Sequence, residues 1–241
     1  MTHAPAIHIA GHHDIGDKRL FAPIDLTLPA GQWTCVLGRS GVGKSTILRL
    51  IAGIECSGVF TGDIVASDTE PLANRISFMA QSDLLLPWLS VVENIVLGAR
   101  LRGTPPDMVR AADLLERIGL SAHRDKKPAA LSGGMRQRTA LARTLMEDRP
   151  VALLDEPFSA LDASTRADMQ DLSAEMLTGK TVLIVTHDPA EAVRLGHQIV
   201  VLTPMGAQLW QPPATTPIRD QYADETIACQ AALLEHLRGL T

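Results

Sequence analysis

The fold of this chain is decided by one stretch of its sequence, Gly38-Arg39-Ser40-Gly41-Val42-Gly43-Lys44-Ser45. This stretch fits the phosphate-binding loop pattern G-x-x-x-x-G-K-[ST]. Its glycines let backbone N–H groups converge on phosphate oxygens without clashes from Cβ atoms. Lys44 is placed to reach the β- and γ-phosphates of a nucleotide, and Ser45 to offer a hydroxyl to Mg²⁺. The alternative is a glycine-rich turn that fits the pattern by chance.

The segments on both sides of this loop have the structure that the pattern requires. Residues 33–37 form an apolar run typical of a buried strand, and residues 44–52 carry apolar side chains at helical spacing. A helix that starts at Lys44 directs its positive N-terminal end toward the same phosphates. This context favours a nucleoside triphosphate site over a chance fit.

A pair of carboxylates follows the apolar run at residues 151–154. Asp155 and Glu156 emerge at the C-terminal end of this predicted strand, where open α/β sheets bind their ligands. Asp155 is placed to hold Mg²⁺ through water, and Glu156 to polarise the attacking water as a general base. The alternative for the pair is an N-terminal cap before the next element, which is weaker once the phosphate loop lies upstream.

Short apolar strands alternate with helices along most of the chain, which predicts an α/β fold with a mostly parallel sheet covered on both faces. The helix-rich stretch at residues 82–150 interrupts this alternation, and we interpret it as an inserted helical subdomain. We expect strands at 24–28, 33–37, 59–66, 75–80, 151–154, 181–186 and 198–202. We expect helices at 44–52, 108–118, 132–147 and 163–176, and a last one containing Ile227, Ala231, Leu234 and Leu237.

The overall composition limits the classes of protein to which the chain can belong. Of its 241 residues, 46% are hydrophobic and 20% are charged, with a net charge of −5 and a pI of about 5.9. This balance does not fit a nucleic-acid-binding surface, so we expect no nucleic-acid partner. The three cysteines match no disulfide or metal pattern, which favours a cytosolic setting. Without a signal peptide or a run of roughly 18 apolar residues, any membrane role requires a partner protein.

A third motif, Leu131-Ser132-Gly133-Gly134-Met135-Arg136-Gln137, resembles the signature sequence L-S-G-G-Q of ATP-binding cassette (ABC) ATPases. The resemblance covers residues 6–205. It implies a P-loop NTPase ABC cassette, in which a mostly parallel core sheet is joined by an antiparallel β subdomain and an inserted helical subdomain. The implied parts are a RecA-like core with the β subdomain (1–81 and 151–205), a helical subdomain with the signature motif (82–150) and a C-terminal tail (206–241).

The signature motif has a physical logic of its own. Ser132 can cap the helix that it begins, and Gly133 and Gly134 leave the first N–H groups of that helix bare, so that its start can bind an anion. In the family, this helix start completes the site of a second subunit, and two chains enclose two ATP molecules. Met135 stands where the family usually has glutamine, which puts one polar contact in doubt but not the backbone cradle.

The resemblance also assigns roles to three isolated residues. Gln81 matches a glutamine that senses Mg²⁺ and the γ-phosphate, Asp162 belongs to a loop at the subunit interface, and His187 matches a histidine that contacts the γ-phosphate. Taken singly, a surface glutamine, a capped turn and a structural histidine are the commoner explanations. The implied catalytic residues are Glu156, His187, Gln81 and Lys44, and the implied Mg²⁺ ligands are Ser45, Gln81 and Asp155. The implied ATP-binding residues are Gly38, Arg39, Ser40, Gly41, Val42, Gly43, Lys44, Ser45, Thr46, Ser132, Gly133, Gly134 and Asp162.

One feature of the family is missing. These ATPases usually stack an aromatic side chain on adenine at a position that falls near Ile15, but residues 11–16 contain no Phe, Tyr or Trp. His13 or Ile15 could cover the base instead. ATP affinity is therefore predicted to depend mostly on the phosphates.

The segment after Gln81 indicates a branch of the family. Residues 81–95 contain Leu-Leu-Pro-Trp close behind the glutamine and are similar to the nitrate, sulfonate and taurine importers. Importers of pyrimidine thiamine precursors share this branch. The tail motif at residues 217–220 also resembles the branch. This implies a subunit on the cytoplasmic face of the inner membrane. Its implied partners are a second copy of itself, separate permease subunits and, indirectly, a periplasmic or lipoprotein solute-binding protein. The Leu-Pro-Trp corner is either a socket for a permease helix or a core corner.

Two other functions are compatible with such a cassette. A soluble ABC ATPase that acts on ribosomes or DNA is the alternative from another class, but such proteins usually carry two cassettes or a long coiled coil, and neither is found in the sequence. A regulatory cassette without turnover is opposed by the presence of both Glu156 and His187.

Overall fold

Residues 4–240 are described by a computed structural model. The first of two units contains the described residues up to Ile76, Pro150–Asp155 and the residues from Thr178 onward, and the second contains Ser77–Arg149 and Glu156–Leu177. Residues 1–3 and 241, which the predicted core and tail include, lie outside the described part. The predicted boundaries after residues 81, 150 and 205 stay predictions.

The described residues form nine strands and eight α-helices. The strands are β1 (Ile7–Ile15), β2 (Lys18–Leu28), β3 (Trp33–Gly38), β4 (Val59–Ala66), β5 (Ile76–Met79), β6 (Val151–Asp155), β7 (Thr181–Val185), β8 (Gln198–Thr203) and β9 (Gly206–Trp210). The helices are α1 (Lys44–Ile51), α2 (Val91–Ile95), α3 (Leu97–Leu101), α4 (Met108–Arg117), α5 (Gly133–Met146), α6 (Ala163–Met176), α7 (Pro189–Leu195) and α8 (Asp224–Gly239).

The first unit contains the expected antiparallel β subdomain, with strand order β2-β1-β4. Strand β1 lies in the centre, where Ile7 pairs with Leu28 on one side and with Ala66 on the other. This strand is absent from the sequence prediction. Its apolar alternation consists of Ile7 and Ile9 alone, after which glycine and histidines obscure the period of two.

The core sheet of the first unit contains strands β6, β7, β3, β8 and β9 in that order. The first four are parallel, as predicted, and β9 is an antiparallel edge strand. Strands β6 and β7 are buried along their whole length, which explains their continuous apolar runs. Parallel pairing aligns Asp155 with Val185, and Val185 with Val36. The carboxyl ends of β6, β7 and β3 therefore share one edge of the sheet.

The second unit contains helices α2 to α6, of which α4, α5 and α6 match the predicted helices. Helix α5 packs against α2, α4 and α6. Each of four helices begins at a polar side chain that accepts a backbone N–H bond, which explains where it starts: Ser90, Asp107, Ser132 and Asp162. Gly119 follows α4 with φ 67° and ends that helix, as its position in the sequence predicts.

The residues around β8 differ from the prediction. Helix α7, which precedes β8, and strand β9, which follows it, are not in the prediction, and the last helix is present as α8. Ile227 and Leu234, two of the residues that predict α8, are partly exposed, whereas Thr226 and Leu233 are buried. Among residues 4–240, no helix has both the length and the apolar character needed to cross a membrane.

Candidate functional site

The phosphate-binding loop connects β3 to α1 in the first unit, and its backbone requires glycine at both ends. Gly43, which precedes α1, has φ 104°, and a Cβ there would lie 2.7 Å from Phe21 Cδ1. Gly38 has φ 153°, and a Cβ there would lie 2.4 Å from the carbonyl oxygen of Leu202. Any other residue would displace the loop from the end of β3, so these glycines are structural requirements of the site.

Lys44 begins α1 and places a cation inside this loop. The residue is only 8% exposed, and Nζ donates to the carbonyl oxygens of Gly38 at 2.8 Å and Arg39 at 3.0 Å. No side chain among residues 4–240 caps the start of α1. The ammonium group and the positive end of the helix dipole thus act at the same place, which suits an anion.

Two further predicted residues lie at the same edge of the core sheet. Asp155 is buried at the end of β6, and His187 is exposed two residues after the end of β7. The turn after β7 is fixed because Thr186 N–H donates to the carbonyl of Val36 at 3.1 Å. Helix α1, which carries Ser45 and Thr46, packs against β3, β6 and β7. The first unit therefore brings the phosphate loop, Asp155 and His187 together.

The signature motif starts α5 in the second unit as the sequence predicts. Ser132 Oγ accepts a hydrogen bond from Met135 N–H at 3.2 Å, and both Ser132 and Gly133 are exposed. Gly134 and Met135 are half-buried in the first turn of the helix. This helix start is consequently capped by its own serine while its glycine face remains accessible to an anion.

Glu156, the residue directly after Asp155, has an unusual backbone. Its φ is 49°, which is uncommon for a residue other than glycine. Its carbonyl oxygen accepts hydrogen bonds from Gln137 Nε2 at 2.9 Å and Ser159 Oγ at 3.1 Å. Asp162 caps α6 by accepting from Thr165 N–H at 3.0 Å, and this backbone bond lowers the pKa of Asp162. Glu156 and Asp162 thus lie in a segment whose backbone is held by several hydrogen bonds.

Gln81 is exposed and follows β5 by two residues. The chain behind it is fixed to α5, because Arg136 Nε donates to Asp83 Oδ2 at 3.0 Å and Arg143 Nη2 donates to the Asp83 carbonyl at 2.6 Å. Arg136, Arg143 and Gln137 are positioning residues that the sequence alone does not identify, because their partners lie 53, 60 and 19 residues away along the chain.

The Leu-Pro-Trp corner is built around Asn94, which is fully buried. Its side chain accepts from Leu86 N–H at 2.8 Å and donates to the carbonyls of Leu86, Leu89 and Ser90. The corner presents Trp88 at its surface, where the residue is 65% exposed. Of the two alternatives from the sequence, a core corner does not fit this exposure.

The candidates for covering the base occupy different environments. His13 is fully buried, stacks on Phe21 with ring centroids 6.0 Å apart, and places Nε2 2.8 Å from the carbonyl oxygen of Ser57. Ile15 is 44% exposed at the end of β1. Together with residues 39–42 of the phosphate loop it lines a cavity of about 530 Å³, whose other walls are Lys18, Arg19, Leu20 and Pro204. Of the two candidates, Ile15 and not His13 therefore lines the cavity beside the phosphate loop.

A phosphate-binding loop at the carboxyl edge of a parallel sheet, with Asp155 and His187 on the same edge, defines a P-loop nucleotide-binding ATPase. The family model described as ABC transporter matches residues 21–159, more than half of the chain. The chain therefore belongs to the ABC transporter family, in which ATP hydrolysis is coupled to transport.

Curated relatives and a solved structure agree with this assignment. An uncharacterized ABC transporter ATP-binding protein of Haemophilus influenzae is 51% identical over 187 residues, which are 77% of this chain and 76% of the relative. The aliphatic sulfonates import ATP-binding protein SsuB of Escherichia coli is 48% identical over 184 residues, 74% of this chain and 69% of the relative. A dimeric ATP-binding cassette in a post-hydrolysis state, bound to ADP and Pi, aligns with a TM-score of 0.73 and 27% identity over 89% of this chain and 99% of that chain.

Proposed function

We propose that this chain is the ATP-hydrolysing subunit of an ABC importer for aliphatic sulfonates. The observation that carries the chemistry is the placement of the phosphate loop, Asp155 and His187 at one sheet edge of the first unit. The identity of 48% to a sulfonate import protein supports the solute class. Nitrate, taurine and pyrimidine thiamine precursors are the other solutes of the branch that the sequence resembles.

In the proposed mechanism, the protein contributes positioning and charge stabilisation, as in phosphoryl transfer generally. The loop amides and Lys44 hold the phosphates, Glu156 accepts a proton from the attacking water, and His187 contacts the γ-phosphate. The start of α5 from a second copy, with Ser132 at its cap, closes over the γ-phosphate. The dimeric cassette to which this chain is similar supports such an arrangement.

The side chains proposed to hold Mg²⁺ are the Ser45 hydroxyl, the Asp155 carboxylate and the Gln81 amide oxygen. These are hard oxygen donors, which Mg²⁺ prefers. Within the described residues, no group of three or more His, Cys, Asp or Glu side chains could hold a metal ion by itself. A site with few protein ligands fits an ion that binds mainly through waters and substrate phosphates. When bound, Mg²⁺ would neutralise charge on the β- and γ-phosphates.

The proposed partner in the membrane is a separate permease, which binds at the exposed Trp88 corner. Aromatic side chains at well-formed corners commonly anchor protein interfaces, and Asn94 fixes this corner through four hydrogen bonds. The chain would then lie on the cytoplasmic face of the membrane, and a solute-binding protein would act on the other side through the permease.

We expect the tagged Glu156→Gln chain, in ATP, to recover a polytopic permease from native membranes. Adding Trp88→Ala should weaken this recovery, because truncation of an aromatic anchor costs about 2 kcal/mol, or roughly 30-fold in affinity. Mass spectrometry of the recovered proteins provides the measurement. Tyr222→Ala, which removes another exposed aromatic side chain, is the matched control.

Recovery of ribosomes or DNA-bound proteins, with no permease, would overturn the transport role while keeping the ATPase chemistry. Equal recovery by the Trp88→Ala and control chains would move the permease contact away from this corner. The neighbours of a recovered permease would in turn test the sulfonate assignment.

We also expect GTP to compete well with ATP, because Ile15 offers the base an aliphatic surface without a π-face. Stacking on an aromatic side chain is worth about 1–3 kcal/mol per base, so Ile15→Tyr should increase ATP affinity at least about fivefold. Competition binding with both nucleotides measures this, with Leu209→Tyr on the exposed edge strand as the control. Strong selectivity of the unmodified chain for ATP would refute the prediction.

A further inference from the structure

Gln137 has an unusually complete set of contacts for a residue just behind the signature glycines. It lies on α5 and is 6% exposed. Its Nε2 donates to the carbonyl of Glu156 at 2.9 Å and to Ser159 Oγ at 3.2 Å, and its Oε1 accepts from Ala160 N–H at 2.6 Å. One side chain therefore binds the backbone of the segment 156–160 at both of its ends.

The segment needs such support because Glu156 adopts a left-handed backbone. A non-glycine residue with φ 49° persists only where its surroundings hold it. Two side-chain donors bond to the Glu156 carbonyl, Gln137 Nε2 and Ser159 Oγ, and the second is itself bonded to Gln137. The backbone from which the Glu156 side chain extends is therefore held by Gln137.

A second, independent observation joins the same two segments. Gly134, in the first turn of α5, approaches residues 160–161 so closely that a Cβ would lie 3.2 Å from the Ala160 carbonyl oxygen and 3.5 Å from Leu161 Cδ2. The start of α5 and the residues after Glu156 thus pack without a gap. A shift of the α5 start therefore displaces residues 160–161, since close-packed groups transmit strain.

We propose that Gln137 is a positioning residue that couples the signature helix to the catalytic carboxylate of its own chain. Contact of the α5 start with ATP held by a second copy would then change the position of Glu156 through the Gln137 amide. This rests on the proposed function, in which Glu156 is the general base and Ser132 caps the helix start that closes over the other ATP. The two ATP sites of a dimer would be linked in this way.

The test compares steady-state hydrolysis by the full chain carrying Gln137→Met, a substitution of similar volume that removes all three hydrogen bonds. We expect kcat to fall tenfold or more, because misplacement of a catalytic group by about 1 Å costs on the order of 100-fold. The KM for ATP should stay within about twofold, since Lys44 and the phosphate loop are untouched, and cooperativity in ATP should decrease. Thr144→Val is the control, because Thr144 is buried on the same helix and its hydroxyl donates within that helix, to the Ala140 carbonyl.

A second variant keeps the test decisive if Gln137→Met does not fold. Gln137→Glu retains an acceptor for Ala160 N–H but removes the donor to the Glu156 carbonyl, so the same loss of kcat is expected. Unchanged kcat and cooperativity in a folded variant would overturn the proposal, as would a loss confined to thermal stability.

The double variant with Glu156→Gln separates a positioning role from a general loss of structure. If Gln137 acts through Glu156, Gln137→Met should not lower the residual single-turnover rate of Glu156→Gln any further. An equal further loss would place the effect elsewhere and overturn the coupling. Normal turnover of Glu156→Gln alone would show that Glu156 is not the general base. This result would contradict the proposed function, and the single variant detects it independently of Gln137.

Discussion

Replacing Glu156 by glutamine is expected to lower ATP turnover about a thousandfold while leaving ATP binding intact. General base catalysis typically contributes a factor of about 100 to 10,000, and the amide keeps the shape of the side chain but accepts no proton. The phosphate loop, with Lys44 held on the Gly38 and Arg39 carbonyls, is unchanged by this substitution. Initial rates of phosphate release and the Kd for ATP, measured on the same preparation, test the two halves of the prediction.

The same variant should accumulate as a dimer in ATP, because ATP that is bound between two copies cannot be hydrolysed. Size-exclusion chromatography in ATP and in ADP measures this directly. Glu175→Gln is a suitable control, since Glu175 is an exposed partner of Arg117 on the outside of α6. A chain that stays monomeric in saturating ATP would count against the two-copy site, and an undiminished rate would count against Glu156 as the base.

The residues that sequence reasoning placed well are those whose position depends on a local pattern. The phosphate loop lies between a buried strand and a helix start, and its glycines are required by the nearest backbone and side-chain atoms. Asp155 follows four apolar residues that are typical of a buried strand. Ser132 and Asp162 cap the helices that they begin. In each case, the cause lies within a few residues along the chain, and a single sequence records it.

The base-covering residue stays open in the sequence because it depends on where strand pairing ends. Side chains alternate between the two faces of a strand, so His13 and Ile15 share a face. Strand β1 pairs with β4 without interruption from Ile7 to Asp14, and within this stretch His13 is buried against Phe21. Ile15 lies one residue past that pairing and is partly exposed, and no local pattern in the sequence announces where the pairing stops.

The polar contacts that organise the second unit were not predictable for a different reason. Gln137 and Asn94 are ordinary amides in the sequence, and their roles come from partners that the fold brings within hydrogen-bonding distance. A buried amide is stabilising only when its donors and acceptors are satisfied. The sequence gives no partner for either residue, whereas the three-dimensional arrangement gives each of them at least three.

Replacing Lys44 by alanine is expected to abolish most of the affinity for ATP. The ammonium is nearly buried in the loop, and truncating one partner of a buried, hydrogen-bonded charge pair costs about 2–5 kcal/mol. This corresponds to a weakening of the Kd by roughly 30- to 4,000-fold. Equilibrium binding of a fluorescent ATP analogue gives the affinity, and thermal unfolding of the same sample checks that the loop has not collapsed.

The matched control is Lys127→Ala, which removes an exposed lysine of the second unit and leaves the phosphate loop complete. It should bind ATP like the unmodified chain, because an isolated surface charge contributes little once it is screened by salt. A folded Lys44→Ala chain with unchanged affinity would refute the phosphate-loop assignment. It would also contradict the prediction that GTP competes well with ATP. That prediction assumes that the phosphates, held by Lys44, supply most of the binding free energy.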